Sequence, residues 1–262
     1  TFADSGFGVE VPDIVAGAGT SSALLKAVKK DDATKACVPG FANVNKRVAL
    51  WSDYVDPDAV NRVANLTVSV NGTAVGTAEA AATPLNLNFN ANGQAPLTVN
   101  YADAGLMQLN ARLIPTGADA GLVMTGSGQF SSRPAGFCVQ TAGSCSSPYE
   151  NCGVFSAAGD DFNLQVQAVG FDADGDGNLC TGAQPTPSFR MNNLQLGSQL
   201  VAPAAGVNGV VSPASYNHSA AADNLNTPAV RQSEVGVFNF TVTPASNYFG
   251  YSIPAGVSQP TG

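Results

Sequence analysis

"YADAGLMQLNA", residues 101–111, is the stretch whose reading decides the fold. From Met107 onward every second residue is apolar: Met107, Leu109 and Ala111 alternate with Gln108 and Asn110. A period of two is the mark of a strand, because successive side chains leave a pleated backbone on opposite faces. The phrase returns as "QSEVGVFNFTV", residues 232–242. Asp103 and Glu234 each stand two residues before a glycine, Gly105 and Gly236, and Phe238, Phe240 and Val242 take the alternating positions.

The same period continues outward. "LTVSV" (66–70), "LNLNF" (85–89), "APLTVNY" (95–101), "FNLQVQAV" (162–169) and "VGVFNFTVT" (235–243) alternate in the same way. Turn signals separate them, among them "NG" at 71–72 and 92–93, "TG" at 116–117 and "PAG" at 134–136. "SSALLKAVKK" alone could pass for a short helix, and it reads equally well as a strand. A second pair of matching phrases, "ALLKAV" (23–28) and "LQVQAV" (164–169), is followed each time by an acidic run and a cysteine, in "KKDDATKAC" and "GFDADGDGNLC". The halves therefore read as copies of one unit, joined near "SSRPAG" (131–136). A strand entered through Tyr101-x-Asp103-x-Gly105 resembles the tyrosine corner of immunoglobulin-like sandwiches, with Gln232 in the tyrosine's place in the second copy. The expected architecture is all-β: two tandem immunoglobulin-like antiparallel β-sandwiches, residues 1–133 and 134–262. One large jelly-roll-like sandwich is the competing architecture.

The chain has 262 residues, 44% hydrophobic and 11% charged, with a formal net charge of -8. The charged share is far below the roughly 25% of ordinary soluble domains, and the apolar share is sufficient for a packed core. No cluster of lysine and arginine exists to neutralise phosphates, which excludes nucleic acid and argues against anionic lipid. No run of about 18 apolar residues exists, so no membrane insertion is expected. The chain opens on "TFADSGFGVEVPD" without a Met or a signal peptide and reads as a piece of a longer protein.

Five cysteines stand at positions 37, 138, 145, 152 and 180. The spacing of Cys138, Cys145, Cys152 and Cys180 lacks the paired C-x-x-C knuckles of a zinc ribbon and fits disulfides formed in an oxidising compartment. Four cysteines allow three pairings, which sequence leaves open. Cys37 is left over, either free or bonded outside this chain.

"FDADGDGNLC" (171–180) sets Asp172, Asp174 and Asp176 at alternate positions, with glycines between and Asn178 after them. Calcium takes six to eight oxygen ligands, and short acids bent by glycine bring several to one point. The run begins like an EF-hand loop, but position twelve is Ala183 rather than glutamate and no amphipathic helix flanks it. It is expected to be a β-sandwich loop site for calcium, formed by Asp172, Asp174, Asp176 and Asn178 and completed by carbonyls and a remote acid such as Asp160 or Asp161. The competing reading is a solvated acidic turn. In "KKDDATKAC", Lys29, Lys30 and Lys35 neutralise Asp31 and Asp32, which disfavours a metal. "WSDYVDPD" (51–58) places Trp51 and Tyr54 beside Asp53, Asp56 and Asp58; aromatics next to acids can bind sugars, and the plainer reading is a surface turn with Trp51 in the core. His218, the sole histidine, lies in "ASYNHSAAADN" and is expected in a surface loop, where it makes no catalytic triad. The sequons at Asn65, Asn71, Asn217 and Asn239 read as strand and turn chemistry. No catalytic residues and no enzyme activity are expected.

Several long phrases carry a family resemblance: "LKAVKKDDATKACVPGFANVNKRVALWSDYV", "LMQLNARL", "GLVMTGSGQFSSRPAGFCV", "DADGDGNLC" and "SEVGVFNFTVTP". Together they resemble the domain-of-unknown-function family found in the C-terminal part of MSHA biogenesis protein MshQ of Gram-negative bacteria. The resemblance runs through nearly the whole chain. It implies an exported protein connected with MSHA-type (type IV) pili, often with a lectin-like domain ahead of this region, and it supplies no catalytic residues. It also implies a cysteine upstream of Cys37, which "VPDIVAGAGTSS" (11–22) lacks. The function expected is a non-enzymatic structural or adhesion module, extracellular at the bacterial cell surface, bracing or presenting a binding tip. Its expected partners are other pilus or adhesin subunits, or further domains of the same polypeptide. The alternatives are a module that itself binds surface glycan and, less favoured, a secreted hydrolase.

Overall fold

The computed structural model describes residues 5–34 and 36–262. Among these the regular structure is strands and three short 3-10 turns, and no helix is long and apolar enough to cross a membrane. The chain divides between Ser132 and Arg133 into two compact units.

The first unit carries β1 (Ser5–Glu10), β2 (Ile14–Val15), β3 (Thr20–Lys30), β4 (Cys37–Pro39), β5 (Val44–Asp56), β6 (Ser69–Val70), β7 (Thr73–Ala74), β8 (Thr83–Phe89), β9 (Gln94–Asn100), β10 (Gly105–Leu113) and β11 (Thr125–Arg133). One sheet runs β1-β3-β9-β6-β7, with β4 also on β3; the other runs β2-β11-β10-β5-β8. Pairing is antiparallel at both flanks of β3 and of β10. In β10, Met107, Leu109, Ala111 and Leu113 point inward and are at most 2% exposed. Across from them lie Leu25 of β3 and Leu97 and Val99 of β9, equally buried in the same core. Burial of one such leucine is worth about 1.5–3 kcal/mol. "SSALLKAVKK" is strand, since Ala23, Leu25 and Ala27 are buried while the residues between them are not. "LTVSV" contributes only its last two residues to a strand. Asn71 and Gly72, both at positive φ, turn β6 into β7, as a two-residue type I′ hairpin requires.

The second unit carries β12 (Gly136–Gln140), β13 (Phe162–Asn163), β14 (Gln165–Asp172), β15 (Ala183–Pro185), β16 (Met191–Ala202), β17 (Val211–Ser212), β18 (Ser215–His218), β19 (Leu225–Asn226), β20 (Ala229–Gln232), β21 (Val237–Thr243) and β22 (Gly256–Val257). Its sheets run β12-β14-β15 with β19 on β14, β13-β20-β17, and β18-β16-β21-β22. Val166 and Ala168 of β14 and Phe238, Phe240 and Val242 of β21 are buried with Phe189 and Leu194.

The repeated glycines have the same physical cause. A Cβ on Gly105 would stand 2.8 Å from the Asp56 carbonyl oxygen, and a Cβ on Gly236 would stand 2.8 Å from that of Ala202. In each unit a strand backbone passes directly over the start of the repeated strand, and only glycine leaves room for it. Tyr101, entering β10, is 2% exposed and packs its ring edgewise on Tyr54. Gln232 occupies the equivalent place and is also buried; its amide donates to Ser198 Oγ and to the Asn208 carbonyl.

Candidate functional site: an acidic loop beside a disulfide

Asp172 is the last residue of β14, and the chain turns there through Gly175 and Gly177, both at positive φ. Carboxylate oxygens of Asp172, Asp174 and Asp176 come within 4.8 Å of one another. Short-range hydrogen bonds organise the loop. The Gly175 and Gly177 amides donate to the two oxygens of Asp172 at 3.2 and 2.9 Å, and the Asn178 amide donates to Asp176 Oδ1 at 2.7 Å. The side-chain oxygen of Asn178 accepts from the Cys180 amide at 3.1 Å. A Cβ on Gly182 would meet the Asp174 carboxylate at 2.4 Å, so the loop closes over a glycine for lack of space.

The electrostatics are uneven. Asp172 is held below the usual carboxylate range by a hydrogen bond with the Asp174 side chain and by the backbone amides. Asp174 is pushed up by that same hydrogen bond. As pH falls, Asp174 takes the first proton and shares it with Asp172. Two carboxyl groups that converge split their titration in this way. Asp161, offered as a remote ligand, is engaged instead with Arg231 at 2.7 and 3.2 Å. Among the described residues the acidic group comprises only Asp172, Asp174 and Asp176.

The cysteines pair as Cys138–Cys180 and Cys145–Cys152. The first joins β12 to the end of the acidic loop, and the second closes a short loop after β12. Cys37 is a free, exposed thiol on β4, opposite Lys30.

The remaining candidates settle as follows. Asp31 caps its own turn, accepting from the Thr34 amide and hydroxyl, and these bonds hold its carboxyl below the usual range. Lys35 lies outside the described residues. "WSDYV" is not a surface turn but the end of β5. Asp53 accepts there from Asn110, and Asp58 caps a turn at Asn61. The Arg62 guanidinium lies 3.9 Å over the Tyr54 ring, so one face of that ring is already taken, and Tyr101 packs against it at an angle. Asn71 and Asn217 each accept a strand amide, consistent with turn and strand chemistry.

His218 is a correction: it is 2% exposed on β18, not in a surface loop. Tyr216 and His218 are two apart and share a strand face, the one signal that sequence held. The Asn224 amide is oriented by backbone groups, its oxygen accepting from the Ala168 amide at 3.0 Å and its nitrogen donating to the Phe189 carbonyl at 2.9 Å. That oxygen lies 2.7 Å from His218 Nε2, so Nε2 carries the proton and Nδ1 accepts from the Tyr216 hydroxyl at 2.7 Å. Burial holds the imidazole below its ordinary pKa.

Two models of one family match consecutive parts of this chain. The first Ig-like domain of the domain of unknown function DUF6701 matches residues 1–127, and the second DUF6701 domain matches residues 133–228. The chain belongs to the DUF6701 family. The immunoglobulin-like description of its first domain agrees with the two-sheet sandwich of β1–β11. No curated protein matches the DUF6701 chain. Among solved structures, the D0-D1 domain of intimin is similar at 11% identity and a TM-score of 0.25, over 98% of this chain and 97% of that one. Invasin, a bacterial integrin-binding protein, gives 11% and 0.33 over 97% of this chain and 38% of that one. The C-terminal fragment of intimin, in complex with the intimin-binding domain of its translocated receptor, gives 10% and 0.35 over 97% and 63%. At TM-scores this low the likeness carries no argument about arrangement or activity.

Proposed function

We propose that this chain is a non-enzymatic structural module of the bacterial cell surface, part of a type IV (MSHA-like) pilus or of an adhesin, bracing or presenting a binding tip. The observation that carries it is a tandem pair of antiparallel β units, the second of which is cross-linked by two disulfides. Disulfides persist in exported proteins and are rare in the cytosol. The low charge and hydroxyl-rich composition suit the same setting, and so do the phrases resembling the MshQ-associated family. The module's partners are other subunits or further domains of its own polypeptide.

Calcium belongs to this proposal at Asp172, Asp174, Asp176 and Asn178. Convergence of three carboxylates supports it, since they supply part of the six to eight oxygens calcium takes. The anchoring disulfide at Cys180 also supports it by limiting the loop's freedom before binding.

The experiment has two arms. Antibody and protease accessibility of the tagged chain on intact cells, with adhesion of a strain lacking this segment, tests the module. Surface exposure with loss of adhesion is expected; a chain confined to the cytoplasm overturns the proposal. Thermal unfolding with calcium and with EGTA, on wild type and Asp174→Ala, tests the loop. A calcium-dependent rise in Tm that the substitution abolishes is expected, because a ligand bound to the native state alone stabilises it. An unchanged Tm removes calcium and leaves the module standing.

A further inference from the structure

Two hollows in the second unit lie side by side. One, of about 430 Å³, has Phe155, Phe162, Phe238 and Phe240 in its walls. The other, of about 590 Å³, lies between the Pro148–Glu150 turn and Ala202–Ala204. Tyr149, Gly236 and Val237 border both, so the two hollows adjoin along one trough-like stretch of surface. Phe238 and Phe240 make a buried floor, and Phe162 sits 5.3 Å from Phe155 and 5.0 Å from Phe240, ring centre to ring centre. At the mouth Val154 and Val235 are 87% and 75% exposed. Two branched apolar side chains held in water beside an open aromatic cavity mark an interaction surface.

The trough is built in advance. The Cys145–Cys152 disulfide closes one wall. The Cys145 amide donates to the Pro260 carbonyl and the Phe155 amide to that of Gly262, both at 2.7 Å, which ties that wall to the last residues of the chain.

Its chemistry is one-sided. Among the described residues, the charged side chains bordering it are Glu150 and Glu234, and no lysine, arginine or histidine lines either hollow. Two polar side chains deeper in, Gln232 and Thr261, are already engaged. Gln232 donates to Ser198 and Asn208 and accepts from the Ser233 amide, and Thr261 Oγ1 bonds Thr141 Oγ1. An apolar group beside a cation is well served here.

We infer that this trough is a docking site for an extended segment of a partner protein in which a large apolar side chain is flanked by lysine or arginine. The apolar side chain enters the phenylalanine cavity, and the cations lie over Glu150 and Glu234. A buried apolar anchor with a charged rim is the usual division of labour at such sites. The inference rests on the geometry of the second unit alone and does not depend on where the protein works.

The test uses the full chain and three fluorescent peptides on a Ser/Thr background: one leucine flanked by lysines, the same with alanine for leucine, and the same with glutamate for lysine. The lysine-flanked leucine peptide is expected to bind at least tenfold more tightly than either control, and to shift the NMR signals of Phe155, Phe162 and Val235. Val235→Asp, on an exposed side chain, is expected to weaken it at least tenfold with Tm unchanged. Glu150→Lys with Glu234→Lys is expected to turn the preference toward the glutamate-flanked peptide. Equal binding of all three peptides, no binding by any, or signal changes away from the trough would overturn the inference. The same signals responding to a soluble oligosaccharide instead would also overturn it and reassign the trough to sugar.

Discussion

The two units share a strand pattern and part company in their loops. "ALLKAV" and "LQVQAV" bury alternate residues along β3 and β14, and a Cβ added at Gly105 or at Gly236 would stand the same 2.8 Å from a passing carbonyl oxygen. The acidic loops that follow β3 and β14 differ. In the first unit Asp31 is used up in capping its own turn. In the second, three carboxylates converge, and a disulfide fixes the end of the loop. The acid before the repeated glycine differs as well, being buried at Asp103 and exposed at Glu234. Positions that face a core or a passing backbone are held by packing, whereas loop positions answer to solvent and are free to take up separate tasks.

That contrast can be broken in four ways, and the disulfides offer the largest effect. Cys138 and Cys180 are 42 residues apart, so replacing both with alanine is expected to cost about 4 kcal/mol in the second unit by the chain-entropy relation. Cys145 and Cys152, 7 apart, are expected to cost about 2 kcal/mol. Calorimetry should show the loss in the second unit's transition and none in the first unit's. An equal loss in the first unit's transition would show that the disulfides act beyond the unit that holds them.

The shared feature comes next. Gly105→Ala and Gly236→Ala are each expected to destabilise their own unit by about 1–3 kcal/mol, because the new Cβ collides with backbone. Gly72→Ala meets only open space, so its cost is confined to the left-handed backbone, about 1 kcal/mol. Urea titration separates the three, and equal effects would refute the steric account.

Acid should distinguish the units. Burial lowers the pKa of His218 from 6.5, so the unfolded chain binds the proton more readily than the folded one. The stability from the neutral, buried ring is fully present above about pH 6.5 and declines as pH falls through the folded value, by at most about 1.4 kcal/mol per pH unit. The chain has one histidine, so the first unit is expected to be insensitive between pH 6.5 and 5.5. His218→Gln should remove the decline from the second unit, and a persisting decline would place the proton elsewhere.

The smallest effect is expected at the loop. In EGTA, Asp174→Asn removes one of three like charges that converge in the loop, and Tm should stay within experimental scatter or rise slightly. A clear fall would show that the charge is needed without any cation.

Much of the fold was legible because a strand's period of two is a local property. Met107, Leu109 and Ala111 announce their burial in the order of residues alone, and Gly105 and Gly236 announce a close approach by recurring at one place in the repeat. "LTVSV" misled because alternation also occurs where the backbone finds few strand partners; only Ser69 and Val70 pair. His218 misled because its neighbours in the chain are polar while its neighbours in space are Phe137, Phe189 and Asn224. For the candidate loop, the alternate aspartates were readable, but the engagement of Asp161 by Arg231, 70 residues away, was not.

Sequence by itself therefore determined the class of structure, the repeat, the acidic loop and the cysteines available for bonding. These depend on residues within a few positions of one another. Tertiary structure alone decided which cysteines pair, which polar side chains are buried, and that Phe155, Phe162 and Phe240 meet around a cavity with Glu150 and Glu234 at its border. Those depend on strands brought together from distant parts of the chain, where burial and charge act across space.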